Sequence, residues 1–197
     1  MKPDWSTWSA EYEFHEFRRK GLGSSEAAII LGVSPWRTAH QLLLEKTGEV
    51  KPDFTGNFAT ERGKELEPKV RDAYNRMHGC NTQPEKMIYP HFMPFRANAD
   101  GIDRDKGKLI EIKCPGKKDH ETAQAGGVPE KYMPQCQWLM MVSGIRSMDY
   151  ISFYYKTEEM VIVPIMMDFD MVNELQARGK MFWELVTQRV DFLKELR

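Results

Sequence analysis

Residues Arg96 to Gly116 constrain this chain more than any other stretch. They read as two short strands joined by a tight turn over Arg104-Asp105-Lys106-Gly107, where the glycine supplies backbone freedom. In the second strand successive side chains alternate, so Leu109, Glu111 and Lys113 face one way and Ile110 and Ile112 the other. Neighbours on one face lie about 6–7 Å apart, which sets a carboxylate beside an ammonium over an apolar back. Asp100 is expected to end the first strand just before Gly101, where the backbone can bend, and the hairpin brings it level with Glu111. Two carboxylates converging beside a lysine form a donor set for a hard divalent cation such as Mg²⁺. A lone Glu-x-Lys on a strand is otherwise an ordinary cross-strand ion pair, so the rest of the chain has to decide.

Composition narrows the alternatives. A chain of 197 residues is long enough for one α/β domain with a proper core and too short to promise two. There is no run of eighteen or more apolar residues, and the opening Met-Lys-Pro-Asp-Trp-Ser is not an apolar signal segment, so no membrane association is expected. Three widely spaced cysteines (Cys80, Cys114, Cys136) fit reduced thiols of a cytoplasmic protein rather than a disulfide or zinc framework. The net charge of −1 excludes broad electrostatic adhesion to nucleic acid, so any DNA contact must be a local groove.

The remaining segments alternate between helix and strand signals. Residues 5–19 read as an aromatic-rich helix capped near Ser6 or Ser9 and ending in a basic turn. Gly21 to Gly32 reads as a glycine loop, a serine N-cap and a short helix; helix N-terminal amides with a hydroxyl make an anion site, or simply a capped helix. A second helix is expected from Ser34 as N-cap, with Pro35 first, through Leu42-Leu43-Leu44 to Gly48. Trp36-Arg37 at its tip reads either as a duplex contact with Arg37 in a groove or as a surface Trp–Arg stack. Residues 50–60 look like a loop. From Glu61 a helix is expected whose buried stripe is Leu66, Val70, Ala73, Tyr74 and Met77, with Glu67 on its inward edge and Gly79 as stop. A carboxylate there is costly to bury unless a cation receives it. Met87-Ile88-Tyr89 starts the sheet ahead of the hairpin, and the polar residues 116–129 suggest a mobile loop. A helix follows from about Pro129, then strands at 148–155 and 160–165. A long helix closes the chain from about Asp168, with Phe169, Val172, Leu175, Phe182, Leu185, Val186 and Phe192 as its apolar positions.

Asp100, ten residues, then Glu111-Ile112-Lys113-Cys114-Pro115 resembles the PD-(D/E)xK nuclease core, and more narrowly the lambda exonuclease and YqaJ-like viral recombinase group. Here Ala99-Asp100 stands in place of the nominal Pro-Asp. The resemblance spans roughly residues 15–165. It implies a restriction-endonuclease-like α/β fold, a central mixed β-sheet flanked by helices, with residues 1–197 forming a single nuclease domain. It implies Asp100, Glu111 and the Ile112 carbonyl as ligands of one Mg²⁺, Glu67 and Asp100 as ligands of a second, and Mn²⁺ as a substitute. Lys113 would position or deprotonate the attacking water or offset charge on the phosphate, and Gln135, in Tyr132-Met133-Pro134-Gln135-Cys136-Gln137, would orient the lysine or the water. Arg18 and Ser25 resemble the 5′-phosphate contacts, with Arg19 a close competitor for Arg18, and Gly63-Lys64 matches a further DNA-contacting position. The implied activity is 5′→3′ exonuclease action on double-stranded DNA ends, leaving a 3′ strand for a phage-type single-strand annealing protein. An endonuclease and a catalytically dead DNA-end-binding module are the alternatives. The implied setting is the cytoplasm of a bacterial host, with the gene phage- or prophage-borne. The implied assembly is a ring of three subunits, for which Trp5, Trp8, Tyr12 and Phe14 and, at the other end, Phe182 and Trp183 are candidate patches. Lys106, Lys108, Lys117 and Lys118 are candidates for the wall of its channel.

Overall fold

The computed structural model describes residues 17–51 and 58–195. The first sixteen residues, including Trp5, Ser6, Trp8, Ser9, Tyr12 and Phe14, lie outside them; of the expected 5–19 helix, residues 17–19 are helical. Five strands form one mixed sheet in sequence order: β1 (Gln83–Ile88), β2 (Arg96–Asp103), β3 (Lys108–Lys113), β4 (Ser147–Tyr154) and β5 (Glu159–Met166). All neighbours are antiparallel except β3 and β4, whose parallel pairing requires the crossover through α4 (Lys117–Gln124) and α5 (Met133–Ser143). Ahead of the sheet stand a 3₁₀ turn (Ser24–Glu26) running into α1 (Ala27–Ile30), then α2 (Ala39–Lys46) and α3 (Phe58–His78); α6 (Phe169–Glu195) closes the chain.

The alternation in the central strands divides the core between the two sheet faces. Ile110, Ile112 and Ile151 pack with Val70 and Tyr74 of α3. Leu109, Ile102, Tyr150 and Val163 pack on the other face beneath α5 and α6. Trp138 on α5 is fully buried, donates its indole N–H to the Arg96 carbonyl at 2.8 Å, and lies against Phe95 with ring centroids 4.6 Å apart. No helix among the described residues is long and apolar enough to cross a membrane.

Several expectations about elements are corrected. The second helix starts not at Ser34 but after Thr38, whose side chain and that of Gln41 cap each other's backbone N–H. Ser34 instead closes a turn, its Oγ accepting from the N–H groups of Trp36 and Arg37. The presumed loop 50–60 already enters α3 at Phe58, and residues 52–57 lie outside the described residues. Met77 is exposed, not buried. Residues 117–124 form α4 rather than a loop, docked through Ala123 and His120, whose Nδ1 lies 2.8 Å from Ser152 Oγ on β4. On α6, Phe169, Leu185 and Phe192 are exposed while Phe182, expected at an interface, is buried and Trp183 is half-buried.

Asp100 does not end its strand; β2 continues to Asp103. The bend is instead a bulge within the strand: Gln83 pairs with Ile102 and Glu85 with Ala99, so two steps along β1 match three along β2. Gly101 sits at that place because a Cβ there would come within 2.7 Å of Ile110 Cγ1 and 2.8 Å of Thr82 Oγ1. The β2–β3 ladder runs from Asp103↔Lys108 to Gly101↔Ile110, so Asp100 and Glu111 come next, where the strands part.

Candidate active site

At the open end of that ladder, Asp100 Oδ2 accepts the Ile112 N–H at 2.8 Å, taking a backbone donor that a strand carbonyl would otherwise satisfy. Glu111 is fully buried; its Oε1 accepts from Lys113 Nζ at 2.5 Å and from Gln135 Nε2 at 2.5 Å, while its buried Oε2 has no hydrogen-bond partner among the described residues. The alternation of β3 and the first turn of α5 together deliver Glu111, Lys113 and Gln135 to one point. Burial and the neighbouring Glu111 charge push the Asp100 carboxyl well above the usual carboxylate range, and burial pushes Glu111 up despite Lys113. Lys113 is held above the ordinary lysine value: burial disfavours its charge, but Glu111 and Asp100 more than offset that. Burial likewise pushes the Cys114 thiol to about 11, so the thiol beside the site is inert.

A buried carboxylate with an orphaned oxygen beside a half-buried one fits a hard cation, which would remove both the repulsion and the missing contact. Asp100 and Glu111 are the side chains placed to hold it, and the Ile112 carbonyl belongs to the same strand end. Glu67 is less committed. It lies on α3 near enough to raise both carboxyls, yet its Oε1 is held by Arg71 Nη1 at 2.9 Å. Among the described residues no three His, Cys, Asp or Glu side chains group closely enough to hold a metal ion. The fit is therefore to an ion held by two carboxylates that keeps several waters, as Mg²⁺ does; a second ion would compete with Arg71 for Glu67.

Arg71 escaped the sequence reading, although its position four residues after Glu67 on one helix face was the available signal. Its Nη1 also donates to the Asp100 carbonyl at 2.7 Å, satisfying a group that the bulge leaves without a ladder partner. Arg62 was missed as well; it donates to the Cys114 carbonyl at 3.4 Å and stacks 3.8 Å above the Tyr155 ring.

The expected phosphate-binding segment is built differently from a serine-capped helix. Gly23, not a serine, is the N-cap of the 3₁₀ turn; Ser24 is buried and Ser25 exposed. The organising group is Glu26, buried and bound to Lys46 Nζ at 2.9 Å, Arg18 Nη2 at 3.4 Å and the Gly23 N–H at 2.8 Å. Burial favours the neutral acid, but these three donors pull its pKa below the ordinary value. Lys46 spends its other two protons on the carbonyls of Arg18 and Gly21, each at 2.7 Å. Gly21 must be glycine, since a Cβ would sit 2.0 Å from the Pro94 carbonyl where the loop pairs with the chain entering β2. The turn packs on α5, the helix that also carries Gln135. Arg19 is exposed.

The other expected DNA-contacting residues, Lys64 and Arg37, are each engaged within the chain's own surface. Lys64 is 66% exposed and pairs with Glu61 on the surface of α3. Arg37 neither stacks on Trp36 nor lies free for a groove; it is ion-paired with Glu45 of α2. Lys106 and Lys108 sit by the turn at the far end of β3 from Lys117 and Lys118, roughly 16 Å along the strand. Lys106 donates to the Gly79 carbonyl, Lys108 approaches Asp149 at 3.8 Å and Lys117 approaches Glu121 at 3.6 Å, so the four do not form one basic patch within the chain.

Comparison with known proteins places this arrangement among relatives. The family profile described as the YqaJ-like viral recombinase domain matches residues 13–146. The protein YqaJ of Bacillus subtilis strain 168 is 31% identical over 129 residues, 64% of this chain; the match covers 40% of that protein's length. Among solved structures, the alkaline exonuclease LHK-Exo of Laribacter hongkongensis superposes with a TM-score of 0.79 at 23% identity, covering 92% of this chain and 96% of that one. A phage-related exonuclease from Haemophilus somnus 129PT superposes with a TM-score of 0.65 at 14% identity, covering 90% and 96%. The shared fold is the restriction-endonuclease-like α/β fold, a mixed five-stranded sheet flanked by helices.

Proposed function

The chain belongs to the YqaJ-like viral recombinase family, and from that premise we propose that it is a Mg²⁺-dependent deoxyribonuclease degrading double-stranded DNA ends 5′→3′. The observation that carries this is Glu111: a fully buried carboxylate with one oxygen fixed by Lys113 and Gln135 and the other unpartnered beside Asp100. A binding module has no use for so costly an arrangement, which a metal and a phosphate would complete. LHK-Exo, whose fold this chain shares, is an alkaline exonuclease with one structure in complex with dAMP.

Asp100, Glu111 and the Ile112 carbonyl would hold the ion, and Glu67 a second one once it lets go of Arg71. Bound Mg²⁺ supplies an activated water and neutralises charge on the phosphate under attack. The protein's own residues do the rest. Lys113, firmly protonated between its two carboxylates, is prepared to hold negative charge on the phosphate rather than to remove a proton. Gln135 fixes the Glu111 carboxylate from α5, so that Oε2 keeps its aim. Ser25, on the turn packed against α5, and Arg18, joined to that turn through Glu26, would grip a terminal 5′ phosphate. The resulting 3′ strand would pass to a single-strand annealing protein, and a ring of three subunits would keep the enzyme on its DNA, in the cytoplasm of a bacterial host of a phage or prophage.

One assay tests this reading: Mg²⁺-dependent release of nucleotides from linear duplex with 5′-phosphate ends, the same duplex with 5′-hydroxyl ends, and closed circular plasmid. Rapid loss of the phosphorylated duplex alone is expected. Glu111→Gln should abolish it while end binding in Ca²⁺ survives, and Arg18→Ala should erase most of the phosphate preference. Cutting of the circle would make the chain an endonuclease, and binding without any cleavage would make it an end-binding module.

A further inference from the structure

Trp36 is 62% exposed, yet it is not loosely displayed. Ser34 Oγ accepts the backbone N–H groups of Trp36 and Arg37 at 3.3 Å each, and Arg37 is tied to Glu45, so the segment is pinned on both sides of the indole. Next to the ring stand Lys131 Nζ, 5.2 Å from the centroid, and Tyr132, 6.2 Å away and tilted by 31°. Lys131 Nζ is also 5.1 Å from the Tyr132 ring and is held at 2.7 Å by Asp119. On its other side the Tyr132 ring lies 5.5 Å from Lys113 Nζ. Two rings and two ammonium groups thus lead outward from the carboxylate site to an indole face held open to solvent.

That combination has a specific chemical complement. An aromatic face takes a flat ring by stacking, and fixed ammonium groups beside it take phosphate oxygens; a nucleotide carries both at this spacing. A base inside a duplex has its faces covered by its neighbours, so only an unstacked base can use the platform. We propose that Trp36, backed by Tyr132 and Lys131, is a stacking platform for the unpaired base of the nucleotide being released at the Lys113 site. The proposal rests on the nuclease reading above and adds a specificity element to it: the platform stabilises the frayed end, so frayed or mismatched ends are degraded faster than G·C-closed ones. Arg37 is then a strut that presents Trp36.

The test compares wild type, Trp36→Ala and Trp36→Phe on 5′-phosphorylated duplexes whose terminal nucleotide is either normal or abasic. Loss of one base–aromatic stack corresponds to about a five- to hundredfold rise in KM. Trp36→Ala on the normal end, and wild type on the abasic end, should each show it; the combination should lose no more than either alone, and Trp36→Phe should recover most of the loss. A purely structural role for Trp36 predicts additive losses instead, and that result overturns the proposal. Binding in Ca²⁺ is read separately with 2-aminopurine as the terminal base. Its quenching should depend on Trp36, and this readout does not require cleavage. If the protein cuts DNA but quenching is identical in Trp36→Ala, the platform is wrong and the nuclease stands. If the protein quenches through Trp36 but does not cut, the platform stands and the nuclease reading falls.

Discussion

Asp100 and Glu111 hold like charges against each other in a place largely shut from water, and that sets how the metal-free protein responds to pH. Both carboxyls have folded pKa values above their unfolded ones, so the folded state binds protons more readily. Their contribution favours the folded state at low pH and is lost as pH rises above about 4, through their raised values. Asp100→Asn removes one of the two charges while keeping its shape, so it is expected to raise the metal-free Tm at pH 7 by roughly 3–6 °C. The gap from wild type should narrow as pH falls toward about 5, and Mg²⁺ should stabilise wild type but not the variant. Differential scanning calorimetry in EDTA decides it; a destabilised Asp100→Asn would mean that the charge is already satisfied. The triad of Asp100, Glu111 and Lys113 was legible because strand alternation and a short turn fix relative positions locally. Arg71 and the real state of Glu67 were not, since their ion pair competes with a metal role that the same helix spacing also fits.

At the scale of elements, the hairpin strands and the two strands after α5 are legible in the sequence, whereas β1 begins at Gln83 rather than at Met87. Neither the order of the sheet nor the devices that aim the strands can be read there. The bend at Asp100-Gly101 was visible as a glycine, whereas its nature as a bulge depends on register with β1, a pairing no local pattern encodes. The Glu26–Lys46 pair was invisible for the same reason. A lysine in the last turn of a helix reads as a partner for the helix dipole, and its carboxylate lies twenty residues earlier in another element. Yet this pair joins three pieces: the segment Arg18–Gly21, the turn carrying Ser24–Glu26, and α2. Lys46→Met leaves Glu26 buried with only Arg18 and one amide for company. A loss of about 3–5 kcal/mol is expected, together with a loss of the 5′-phosphate preference as the loop relaxes. The double variant Glu26→Gln/Lys46→Met should recover much of the stability without restoring that preference. Urea denaturation of the three variants measures the first effect and end-labelled duplexes the second; an additive double variant would show that the two side chains do not act as a pair.

The long closing helix shows where reading a sequence stops being able to place a surface in the whole molecule. Its apolar residues were counted as one set, but they form two stripes. Val172, Leu175, Phe182 and Val186 face the core. Met181, Leu185 and Phe192 are exposed and, at 100° per residue, fall within about 40° of one another on a different side of α6. Hydropathy cannot distinguish a stripe that covers the chain's own sheet from one that covers a neighbour, so Phe182 and Trp183 were taken for the interface when Met181 and Leu185 beside them point outward. A chain with a net charge of −1 gains little DNA affinity from broad electrostatics, since that term grows with the number of phosphates neutralised. Were the proposed resection processive, topology would have to supply the hold, and a closed ring around the duplex would do so through a head-to-tail interface of two unlike patches. The outer stripe of α6 is the patch proposed for that task. Sedimentation equilibrium at micromolar concentration is expected to give about three times 23.0 kDa for the wild type. Leu185→Glu, which puts a charge in the middle of the stripe but touches no core residue, should give monomers with an unchanged Tm per chain. Those monomers should still remove single nucleotides, in short bursts whose length falls steeply with salt. A monomeric wild type that nonetheless degrades long tracts would remove the ring and leave retention on DNA to contacts within one chain.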